Sequence, residues 1–479
     1  MIRYIIAILV FLTMAQRANA DSGRSAYSVL IDTDGALDDF RAITMFLAGQ
    51  DFTVLGVTAS QGTLPPEQTC EKINSLLSSY YHNGIPIGVG VATAMPLPEW
   101  SGFAKNIPWA KNPGNIAIQR AFDVIEKAVA NSPEKLCFVA LGSLSNYAYW
   151  FKHTRQNPDK IEQIVWYAGA DLFKQFNYFT DKAAYADIIK TGVPLIVVSK
   201  GEKNIPVNEA YLSMLKKAGS NYSENVSAVL TSPQVQEKLR QGHSQLWDDI
   251  VPLYLAHPDL FELRQGKEFA TARLKPQVSE AEILSDIGQI FNSKTEAMNR
   301  VFINFPTHKN LYKPAYANMV DTTLHHFGLA EWKAVVLTNE VHGHTGIYSI
   351  IGAKAGIRAC EYFNVGVNNL FAESYAGHKP PLSCYNDGIQ ISTGATIGQG
   401  LLSVSDTILQ TPTVVFSFNG QKVKITLKNE ISKKMQNDIN AGVKKFGMSG
   451  AYWEYIENLA QEYWAYFNRY NIFELENMP

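Results

Sequence analysis

The sequence predicts an α/β protein in which a mainly parallel sheet has helices on both faces, followed by a smaller α+β domain. Short runs rich in β-branched residues alternate with amphipathic segments over residues 27–257, the pattern of strands and helices in parallel sheets. The 479 residues are too many for one average domain. A different pattern, with a long helical stretch and a hairpin, begins at Trp332. We therefore expect two domains of different architecture.

The first twenty residues have the pattern of a signal peptide. Arg3 precedes the apolar run "YIIAILVFLTM", and "ANA" at residues 18–20 is a suitable cleavage site. An uncleaved membrane anchor is the alternative, but the apolar run is short. We expect cleavage after residues 1–20, a mature chain that starts near Asp21, and export to the periplasm or the medium.

The predicted elements of the first domain, residues 21–305, follow one another in strand–helix order. The strands are "YSVLID", "FTVLGVTA", "IPIGVGVA", "LCFVALG", "IEQIVWYAG" and "VPLIVVS". The helices between them are "DDFRAITMFLAG", "PEQTCEKINSLLSSYY", "GNIAIQRAFDVIEKAVA" and "DKAAYADIIKTG". Residues 258–325 are less regular, and we interpret them as the end of this domain and a connector over residues 306–329.

The second domain, residues 330–479, begins with a predicted strand, "KAVVLT", and a long helix, "IYSIIGAKAGIRACEYF". Asn419-Gly420 within "TVVFSFNGQKVKITL" predicts a hairpin with a type I′ turn. Two helices close the chain, and the aromatic stripe of the last one is typical of a packing face.

Charge and cysteine content restrict the partners. The net charge of −2 gives no reason to expect a nucleic-acid partner. No stretch after the N-terminus is apolar and long enough to span a bilayer, so no membrane partner is expected after cleavage. The sequence leaves the number of assembled chains open, a homo-oligomer included. Four cysteines occur without a C-x-x-C motif and without zinc-ribbon spacing, and the sequence does not pair them.

An unusual acidic cluster follows the first predicted strand. The segment "VLIDTDGALDDF" places Asp32, Asp34, Asp38 and Asp39 within eight residues. Buried like charges repel unless a partner is present, and carboxylate oxygens suit a hard cation such as Ca²⁺ or Mg²⁺. The spacing does not fit an EF-hand loop, because Ala36 occupies a ligand position. The alternative is helix N-capping with a solvated acidic turn.

The acidic segment also resembles a known family. "DTDGALDD" is similar to the D-T-D-P-G-x-D-D signature of inosine–uridine-preferring nucleoside hydrolases. Further segments resemble that family in the same order: "GVTASQGTLPPEQT", "ALGSLSNYA", "FNYFTDKAAYADIIKTGVPL" and "LWDDIVPLYLAHPDLF". The resemblance covers residues 27–257 and implies a nucleoside-hydrolase-like fold and a Ca²⁺-dependent N-ribohydrolase. The Ca²⁺ ligands that it implies are Asp34, Asp39, the carbonyl oxygen of Leu141 and Asp248.

The resemblance also implies roles in catalysis and substrate binding. Asp34 would take a proton from the attacking water, while Asp38 and Asn177 would bind ribose hydroxyls. Asp32 would support the loop without touching the metal. Trp247 stands where some members have a histidine that acts as an acid, and it resembles the purine-stacking tryptophan of purine-preferring members. The alternative for this tryptophan is a packed helix residue, and His243 is a reserve acid.

Some residues depart from the family pattern. Gly35-Ala36 replaces Pro-Gly, Gln175 replaces a glutamate that contacts ribose, and Thr63 stands at the substrate-binding position that usually holds asparagine. Part of the ribose contacts is therefore altered while the metal ligands are retained. An unusual sugar, a slower enzyme and a binding module without catalysis are each compatible with this change.

The C-terminal domain resembles a second family. "EVHGHTGIYSIIGAKAGIRACEYF" and "SCYNDGIQISTGATIGQG" are similar to the E-type subunit of formylmethanofuran dehydrogenase, over residues 330–430. The resemblance implies a transition-metal site, Zn²⁺ included, with His342, His344 and Cys384 as ligands. Gly346 replaces the motif cysteine, and Asp387 is a further ligand or orients a histidine. The alternative is a glycine-rich packing corner.

The function expected from the sequence is hydrolysis of ribonucleosides, purine favoured and of use in purine salvage, by an exported Ca²⁺-dependent protein with a second metal site. Two alternatives remain. One is a non-catalytic protein that binds or scavenges a metal and a ligand. The other is a metal-dependent enzyme whose chemistry lies at His342, His344 and Cys384.

Overall fold

The computed structural model describes residues 25–93, 95–110, 114–169, 171–242, 244–296, 301–406 and 410–478. The described residues divide into two compact units, one over residues 25–296 and the other over residues 301–478. The predicted signal peptide, residues 1–20, lies outside the described residues. No helix in the described part of the chain is long and apolar enough to cross a bilayer.

The first unit is built on a nine-stranded sheet in which β1 lies inside, between β2 and β5. Its strands are β1 (Tyr27–Thr33), β2 (Phe52–Ala59), β3 (Ile87–Val89), β4 (Ile118–Arg120), β5 (Leu136–Ala140), β6 (Ile161–Tyr167), β7 (Leu195–Ser199), β8 (Phe261–Gln265) and β9 (Ala270–Leu274). The order across the sheet is β4-β3-β2-β1-β5-β6-β7-β9-β8. All neighbouring pairs are parallel except β8 and β9, which are antiparallel. This confirms the predicted mainly parallel α/β architecture.

Helices connect the strands and cover the sheet. Their bounds are α1 (Leu37–Ala48), α2 (Pro66–Ser79), α3 (Ser101–Lys105), α4 (Ala121–Asn131), α5 (Ser145–His153), α6 (Phe176–Thr180), α7 (Lys182–Thr191), α8 (Glu209–Ala218), α9 (Asn221–Leu230), α10 (Pro233–Arg240), α11 (Ile250–Ala256) and α12 (Glu280–Glu296). Strands β5 and β7 are buried along their whole length, as expected for strands covered on both faces. Apolar burial on the two faces therefore fixes the sheet and brings the carboxyl ends of its strands to one edge.

The six predicted strands of the first unit are all present, and three more were missed. The third predicted strand is shortened to β3, because the residues after Val89 leave the sheet. Strand β4 is three residues long and exposed, and it begins inside a segment that was predicted as helix. Strands β8 and β9 form a hairpin within a region interpreted as irregular. Strands β4 and β8 contain too few buried residues to give a clear period, whereas β9 alternates but buries mainly small alanines.

The second unit has a five-stranded sheet and six helices among the described residues. The strand order is β11 (Leu402–Val404), β10 (Phe371–Ser374), β12 (Thr413–Phe418), β13 (Gln421–Leu427) and β14 (Phe473–Met478), and only β10 and β11 are parallel neighbours. The helices are α13 (Pro314–Ala317), α14 (Val320–His342), α15 (Ile347–Phe363), α16 (Tyr385–Thr393), α17 (Asn429–Phe446) and α18 (Gly450–Tyr466). Asn419 and Gly420 have φ values of 45° and 75°, which confirms the predicted type I′ turn. The domain is α+β, as predicted.

The prediction of a strand at "KAVVLT" is wrong, because these residues lie in helix α14. The buried positions Trp332, Val335 and Thr338 recur every three residues, which is a helical period. This face packs in the core beside α15, and the packing overrides the β-branched composition. Residues 306–329, which were interpreted as a connector, lie in the second unit and include helix α13 and the start of α14.

Helices α15 and α16 approach each other at glycines. A Cβ added at Gly388 would lie 2.1 Å from the carbonyl oxygen of Ser349 and 2.2 Å from the amide nitrogen of Ala353. A Cβ at Gly352 would lie 2.0 Å from the carbonyl oxygen of Tyr385. Both contacts are with backbone atoms, which a rotamer change cannot move. Helices α15 and α16 can therefore pack this closely only because Gly352 and Gly388 have no side chain.

We expect Gly388→Ala to destabilise the second unit by roughly 1–3 kcal/mol, because the added methyl group overpacks the helix crossing. Hydrogen exchange of peptides from α15 and α16, measured as urea is raised, will report the local free energy of opening. The matched control is Gly450→Ala in α18, where an added Cβ meets nothing within 4 Å. That change is expected to be neutral or slightly stabilising, since alanine favours helices by about 1 kcal/mol over glycine. Equal behaviour of the two variants would contradict the proposed close approach.

Candidate active site

The predicted acidic residues meet at the carboxyl end of β1. Asp34 follows this strand, and Asp38 and Asp39 lie in the first turn of α1. Asp248 lies in the turn that precedes α11, and not inside that helix as its resemblance suggested. One carboxylate oxygen from each of Asp38, Asp39 and Asp248 lies within 4.8 Å of the others. Residues that are distant in sequence thus form one acidic cluster.

Asp39 is held in a fixed orientation by three donors. Its Oδ2 accepts hydrogen bonds from the Thr33 hydroxyl at 2.5 Å, from the backbone N–H of Asp34 at 2.9 Å and from that of Gly35 at 3.2 Å. Gly35 has φ +92°, a conformation that side-chain-bearing residues rarely adopt. The turn between β1 and α1 therefore wraps around one oxygen of Asp39 and leaves the other to face the cluster.

Asp34 is enclosed by backbone. A Cβ added at Gly62 would lie 2.2 Å from Asp34 Oδ2, and one added at Gly142 would lie 2.8 Å from Asp34 Cβ. Both glycines follow strands that neighbour β1, so the sheet edge leaves just enough room for this carboxylate. Burial raises the pKa of this carboxylate, and the nearby polar groups of Thr63 partly oppose that rise. Asp34 Oδ1, however, is buried without a hydrogen-bond partner in the described part of the chain.

The electrostatics of the cluster fit a cation. Desolvation, together with the charges of Asp39 and Asp38, raises the pKa of Asp34 well above its usual value. Desolvation and the charge of Asp39 raise the pKa of Asp248 in the same way, and that of Asp38 to about 7. Asp248 Oδ1, like Asp34 Oδ1, is buried without a partner among the described residues. Oxygen atoms that converge and lack donors suit a hard divalent cation, because its charge offsets their repulsion.

Asp32 supports this arrangement from within the sheet. It is fully buried, and its Oδ1 accepts from the Thr58 hydroxyl at 2.5 Å and from the Asn146 amide at 2.6 Å. Burial raises the pKa of Asp32 to about 7, although these hydrogen bonds lower it. The side chain therefore ties β1 to β2 and α5, and it is not among the three residues whose oxygens converge.

A buried ion pair that the sequence analysis missed positions the cluster. Arg41 of α1 donates from Nε to Asp249 Oδ1 at 2.9 Å and from Nη2 to Asp249 Oδ2 at 2.7 Å, and it also donates to the carbonyl of Gln245. Both side chains are almost completely buried. The pair joins the helix that carries Asp39 to the turn that carries Asp248. The sequence offered one indication of this pair: Asp248 and Asp249 are adjacent and have no basic residue beside them to balance their charges.

The predicted ligand Leu141 and the predicted ribose contact Asn177 lie together. The Asn177 amide donates to the carbonyl of Leu141 at 2.6 Å and to that of Tyr167 at 3.2 Å. A carbonyl oxygen has two lone pairs, so this hydrogen bond leaves one for a further partner. Asn177 thereby links the ends of strands β5 and β6 beside the carboxylates.

A cavity of about 640 Å³ opens above the acidic cluster. Asp34, Asp38 and Asp248 lie on its acidic side. The other predicted residues that line it are Asp39, Thr63, Leu141, Gln175, Asn177 and Trp247. Trp247 is half-buried and precedes the helix, so it is a cavity residue and not a packed helix tryptophan. The reserve acid His243 lies outside the described residues.

Aromatic residues that the sequence analysis did not single out form another part of the wall. Trp100, at the start of α3, is 49% exposed and packs edge-on against Phe176 with ring centroids 5.2 Å apart. Phe103 and Tyr167 also line the cavity. The sequence offered one indication of this wall: Trp100 is an aromatic residue in a polar, proline-containing segment after the third strand. The cavity is thus lined both by acidic residues and by several aromatic rings.

A second group of metal-type ligands lies in the second unit. His342 Nδ1 lies 2.9 Å from Asp387 Oδ2, and ligand atoms of His342, Cys384 and Asp387 all lie within 4.8 Å of one another. His342 Nε2 is buried without a partner among the described residues. The exposed His344 packs beside His342 with ring centroids 4.3 Å apart and is not in this group of three. The predicted His342 and Cys384 are therefore brought together with Asp387.

Comparison with known proteins relates the two units to two family models. Residues 29–310 match the model described as inosine-uridine preferring nucleoside hydrolase. Residues 341–465 match the model described as FmdE, molybdenum formylmethanofuran dehydrogenase operon. Both matches agree with the resemblances noted in the sequence.

Curated relatives match the first unit. A pyrimidine-specific ribonucleoside hydrolase, RihA, of Citrobacter koseri is 26% identical over 187 residues, which cover 36% of this chain and 59% of the relative. A non-specific ribonucleoside hydrolase, RihC, of Salmonella paratyphi A is 23% identical over 49% of this chain and 81% of the relative. The chain thus spans about three fifths of the first curated relative. A solved inosine-uridine preferring nucleoside hydrolase from Bacillus anthracis is 14% identical, covers 56% of this chain and 99% of its own, and has a TM-score of 0.45.

We expect Arg41→Met to destabilise the first unit by about 3–5 kcal/mol, because it leaves the buried Asp249 carboxylate unpaired. Urea unfolding of the purified protein measures this change. Arg264→Met is the matched control, since the Arg264–Glu262 pair has side chains that are 68% and 47% exposed. An exposed pair contributes about 0–1 kcal/mol.

A double variant separates charge from packing at the same position. Adding Asp249→Leu to Arg41→Met removes the unpaired charge, and much of the lost stability should return. If Arg41→Met were no more destabilising than Arg264→Met, the ion pair would not hold α1 to the turn before α11.

Proposed function

Since the chain belongs to the inosine-uridine preferring nucleoside hydrolase family, we propose that it hydrolyses the N-glycosidic bond of ribonucleosides to free base and ribose. The observation that carries this proposal is the pair of buried, unpartnered oxygens, Asp34 Oδ1 and Asp248 Oδ1, at the acidic side of an aromatic cavity. The chain spans only part of its first curated relatives, so the activity is our inference and not a property taken from them.

The acidic cluster is proposed to hold Ca²⁺. Asp34, Asp39, Asp248 and the carbonyl oxygen of Leu141 would be its ligands, and Asp38 is close enough to belong to the same group. Four or more oxygen ligands, each a carboxylate or a carbonyl oxygen, match the preference of Ca²⁺. When bound, the ion supplies positive charge that offsets the carboxylates and lowers the pKa of a neighbouring water.

Asp34 is the proposed general base. Hydrolysis forms a bond between a water oxygen and the anomeric carbon and breaks the bond from that carbon to the base, through an oxocarbenium-like state. The proton of the attacking water passes to the Asp34 carboxylate, and the departing base takes up a proton from solvent to leave as the free base. Gly62 and Gly142 leave just enough room for its carboxylate at the sheet edge. Asp38 and Asn177 line the same cavity and are the proposed contacts to the ribose hydroxyls.

The aromatic part of the cavity is proposed to receive the base. Trp247 is next to Asp248, and Trp100 and Phe103 line the same cavity. Stacking on an aromatic ring contributes about 1–3 kcal/mol per base, and a two-ring purine offers more overlap than a pyrimidine. We therefore propose a purine preference, although the relatives named above include pyrimidine-specific and non-specific enzymes.

Two further proposals concern the rest of the chain. The N-terminal sequence supports export to the periplasm or the medium, which fits extracellular nucleosides as substrates. The group of His342, Cys384 and Asp387 supports a second, transition-metal site in the C-terminal domain, with Zn²⁺ as a candidate ion. A reaction at this second site would be distinguished from the Asp34-dependent reaction by replacing the two sets of residues in separate variants.

We expect the purified protein to release free base from nucleosides, and Asp34→Asn to lower kcat by about 10²–10⁴, because the variant lacks the proton acceptor. Chromatography of free base measures the reaction. Chelation should abolish release, and Ca²⁺ alone should restore it. Asp259→Asn, an exposed carboxylate control, should keep full activity. Base release by Asp34→Asn at the wild-type rate would disprove the mechanism.

We expect Trp247→Ala to lower kcat/KM for inosine by about 10-fold to 100-fold, because a stacking contact of ~1–3 kcal/mol is lost. The loss for uridine should be smaller, and Trp247→Phe should retain most of the activity toward inosine. Competition between inosine and uridine in one reaction measures the preference directly. An equal loss for both nucleosides would show that Trp247 does not determine the purine preference.

A further inference from the structure

A lysine lies on the aromatic part of the cavity wall. Lys238 of α10 lines the cavity together with Trp100, Phe103 and Trp247. Its Nζ lies 5.9 Å from the centroid of the Phe103 ring. A positive charge is therefore placed among the residues that are proposed to receive the base.

Two contacts hold helix α10 against helix α3, which carries part of this wall. Gln234 Nε2 donates to the carbonyl of Asn106, the residue that follows α3, at 3.0 Å. Lys238 lies four residues further along α10, so it is on the same face of that helix as Gln234. Val235 of α10 is completely buried, and its burial limits rotation of the helix. The face that carries Lys238 is therefore directed at α3.

Helix α3 is itself held at both ends. Just before the helix, Trp100 Nε1 donates to Thr63 Oγ1 at 3.2 Å. Just after the helix, the carbonyl of Ile107 accepts from Lys72 Nζ at 2.7 Å. The distance between Lys238 and the aromatic rings is therefore set by folded segments on both sides of the cavity wall.

The ammonium group of Lys238 is available to a ligand. Arg41, the other basic residue that lines the cavity, is paired with Asp249. Lys238 Nζ makes no hydrogen bond or salt bridge in the described part of the chain, although the exposed Glu99 lines the same cavity. An ammonium group offers three donors and no acceptor. It therefore suits a ligand that presents acceptor atoms or gains negative charge.

The departing base is such a ligand. When its bond to the anomeric carbon breaks, the electron pair stays on the base, which carries negative charge until it takes up a proton. A positive charge held beside the base stabilises this developing charge. A 6-oxopurine presents the adjacent acceptors O6 and N7, whereas adenine has an amino donor beside N7. A lysine at this place therefore matches a 6-oxopurine better than adenine.

We propose that Lys238 is a catalytic residue that contacts the edge of the base, stabilises the base as it departs and favours 6-oxopurines over adenine. This inference rests on the proposed nucleoside hydrolysis and names the class of base that it releases. The proton that the base takes up comes from solvent, so Lys238 keeps its own proton. The aromatic rings contact the faces of the base, and Lys238 contacts its edge.

Lys238→Met removes the charge and keeps most of the side-chain length. We expect kcat for inosine to fall about tenfold, as for loss of a hydrogen bond to a charged group, and the preference for inosine over adenosine to decrease about fivefold. Lys238→Arg, which keeps the charge and the donors, should retain most of the activity.

The matched control is Arg240→Met in the same helix. Arg240 is 69% exposed, pairs with Glu237 and is not among the residues that line the cavity. Its substitution also removes one positive charge, so it reports any effect of charge at a distance. It should leave kcat and KM unchanged for both nucleosides.

A substrate with a different leaving group separates stabilisation of the departing base from other effects. 4-Nitrophenyl riboside releases 4-nitrophenolate, an anion that is stable without a positive charge beside it. Lys238→Met should therefore lower kcat for this substrate by less than about twofold, whereas Asp34→Asn should lower it as strongly as for inosine. An equal loss for both substrates in Lys238→Met, or a loss no greater than in Arg240→Met, would overturn the catalytic role of Lys238.

Binding of free bases gives a readout that does not require turnover. In calorimetric titration, Lys238→Met should bind hypoxanthine about fivefold more weakly than the wild type, with its affinity for adenine nearly unchanged. If the wild-type protein binds hypoxanthine but releases no base from any nucleoside, hydrolysis is disproved, and this difference still decides for or against the contact with the base. An equal loss of affinity for the two bases would overturn the preference for 6-oxopurines. If the wild-type protein binds neither base and hydrolyses no nucleoside, both proposals fail.

Discussion

Mutual repulsion among buried carboxylates is the constraint on which the first unit depends. Asp39, which accepts three hydrogen bonds, and Asp249, which is paired with Arg41, have their charges balanced within the protein. Asp32 is intermediate, because Oδ1 accepts two hydrogen bonds while Oδ2 is buried without a partner among the described residues. Others, Asp34 and Asp248, each retain a buried oxygen without a partner among the described residues. The balanced carboxylates fix the geometry, and the unbalanced ones define where positive charge is required. A structural role and a functional role are thus divided among residues of one chemical type.

Much of the fold could be predicted because the relevant signals are local. Buried strands such as β5 and β7 are continuous apolar runs, and the Asn419-Gly420 turn is specified by the two residues that form it. The failure at "KAVVLT" has the opposite cause. Its β-branched composition favours a strand in isolation, but the face formed by Trp332, Val335 and Thr338 finds its apolar partners in helices. That information lies in other parts of the chain and cannot be read from the segment itself.

In the candidate site, too, some residues could be predicted from the local sequence and others depend on contacts between distant segments. The cluster behind β1 could be recognised because Asp34, Asp38 and Asp39 are adjacent in sequence and follow a strand. The approach of Asp248 was implied only by the family resemblance. The contact of Arg41 with Asp249 and that of Trp100 with Thr63 join loops whose distance depends on the whole sheet. Such contacts leave no periodicity or motif in the sequence, and three-dimensional geometry is needed to find them.

The sequence separation of these contacts determines when each site can form during synthesis. Arg41 and Asp249 are 208 positions apart, whereas His342 and Asp387 are 45 apart. Until the ribosome has added Asp249, the acidic segment near the N-terminus lacks both its distant carboxylate and the arginine pairing that fixes it. A longer loop also closes at a higher entropic cost, by about 0.6 kcal/mol per doubling of its length. The acidic cluster of the first unit therefore forms late in folding. Before that, the nascent chain offers a cation only some of the ligands of this site.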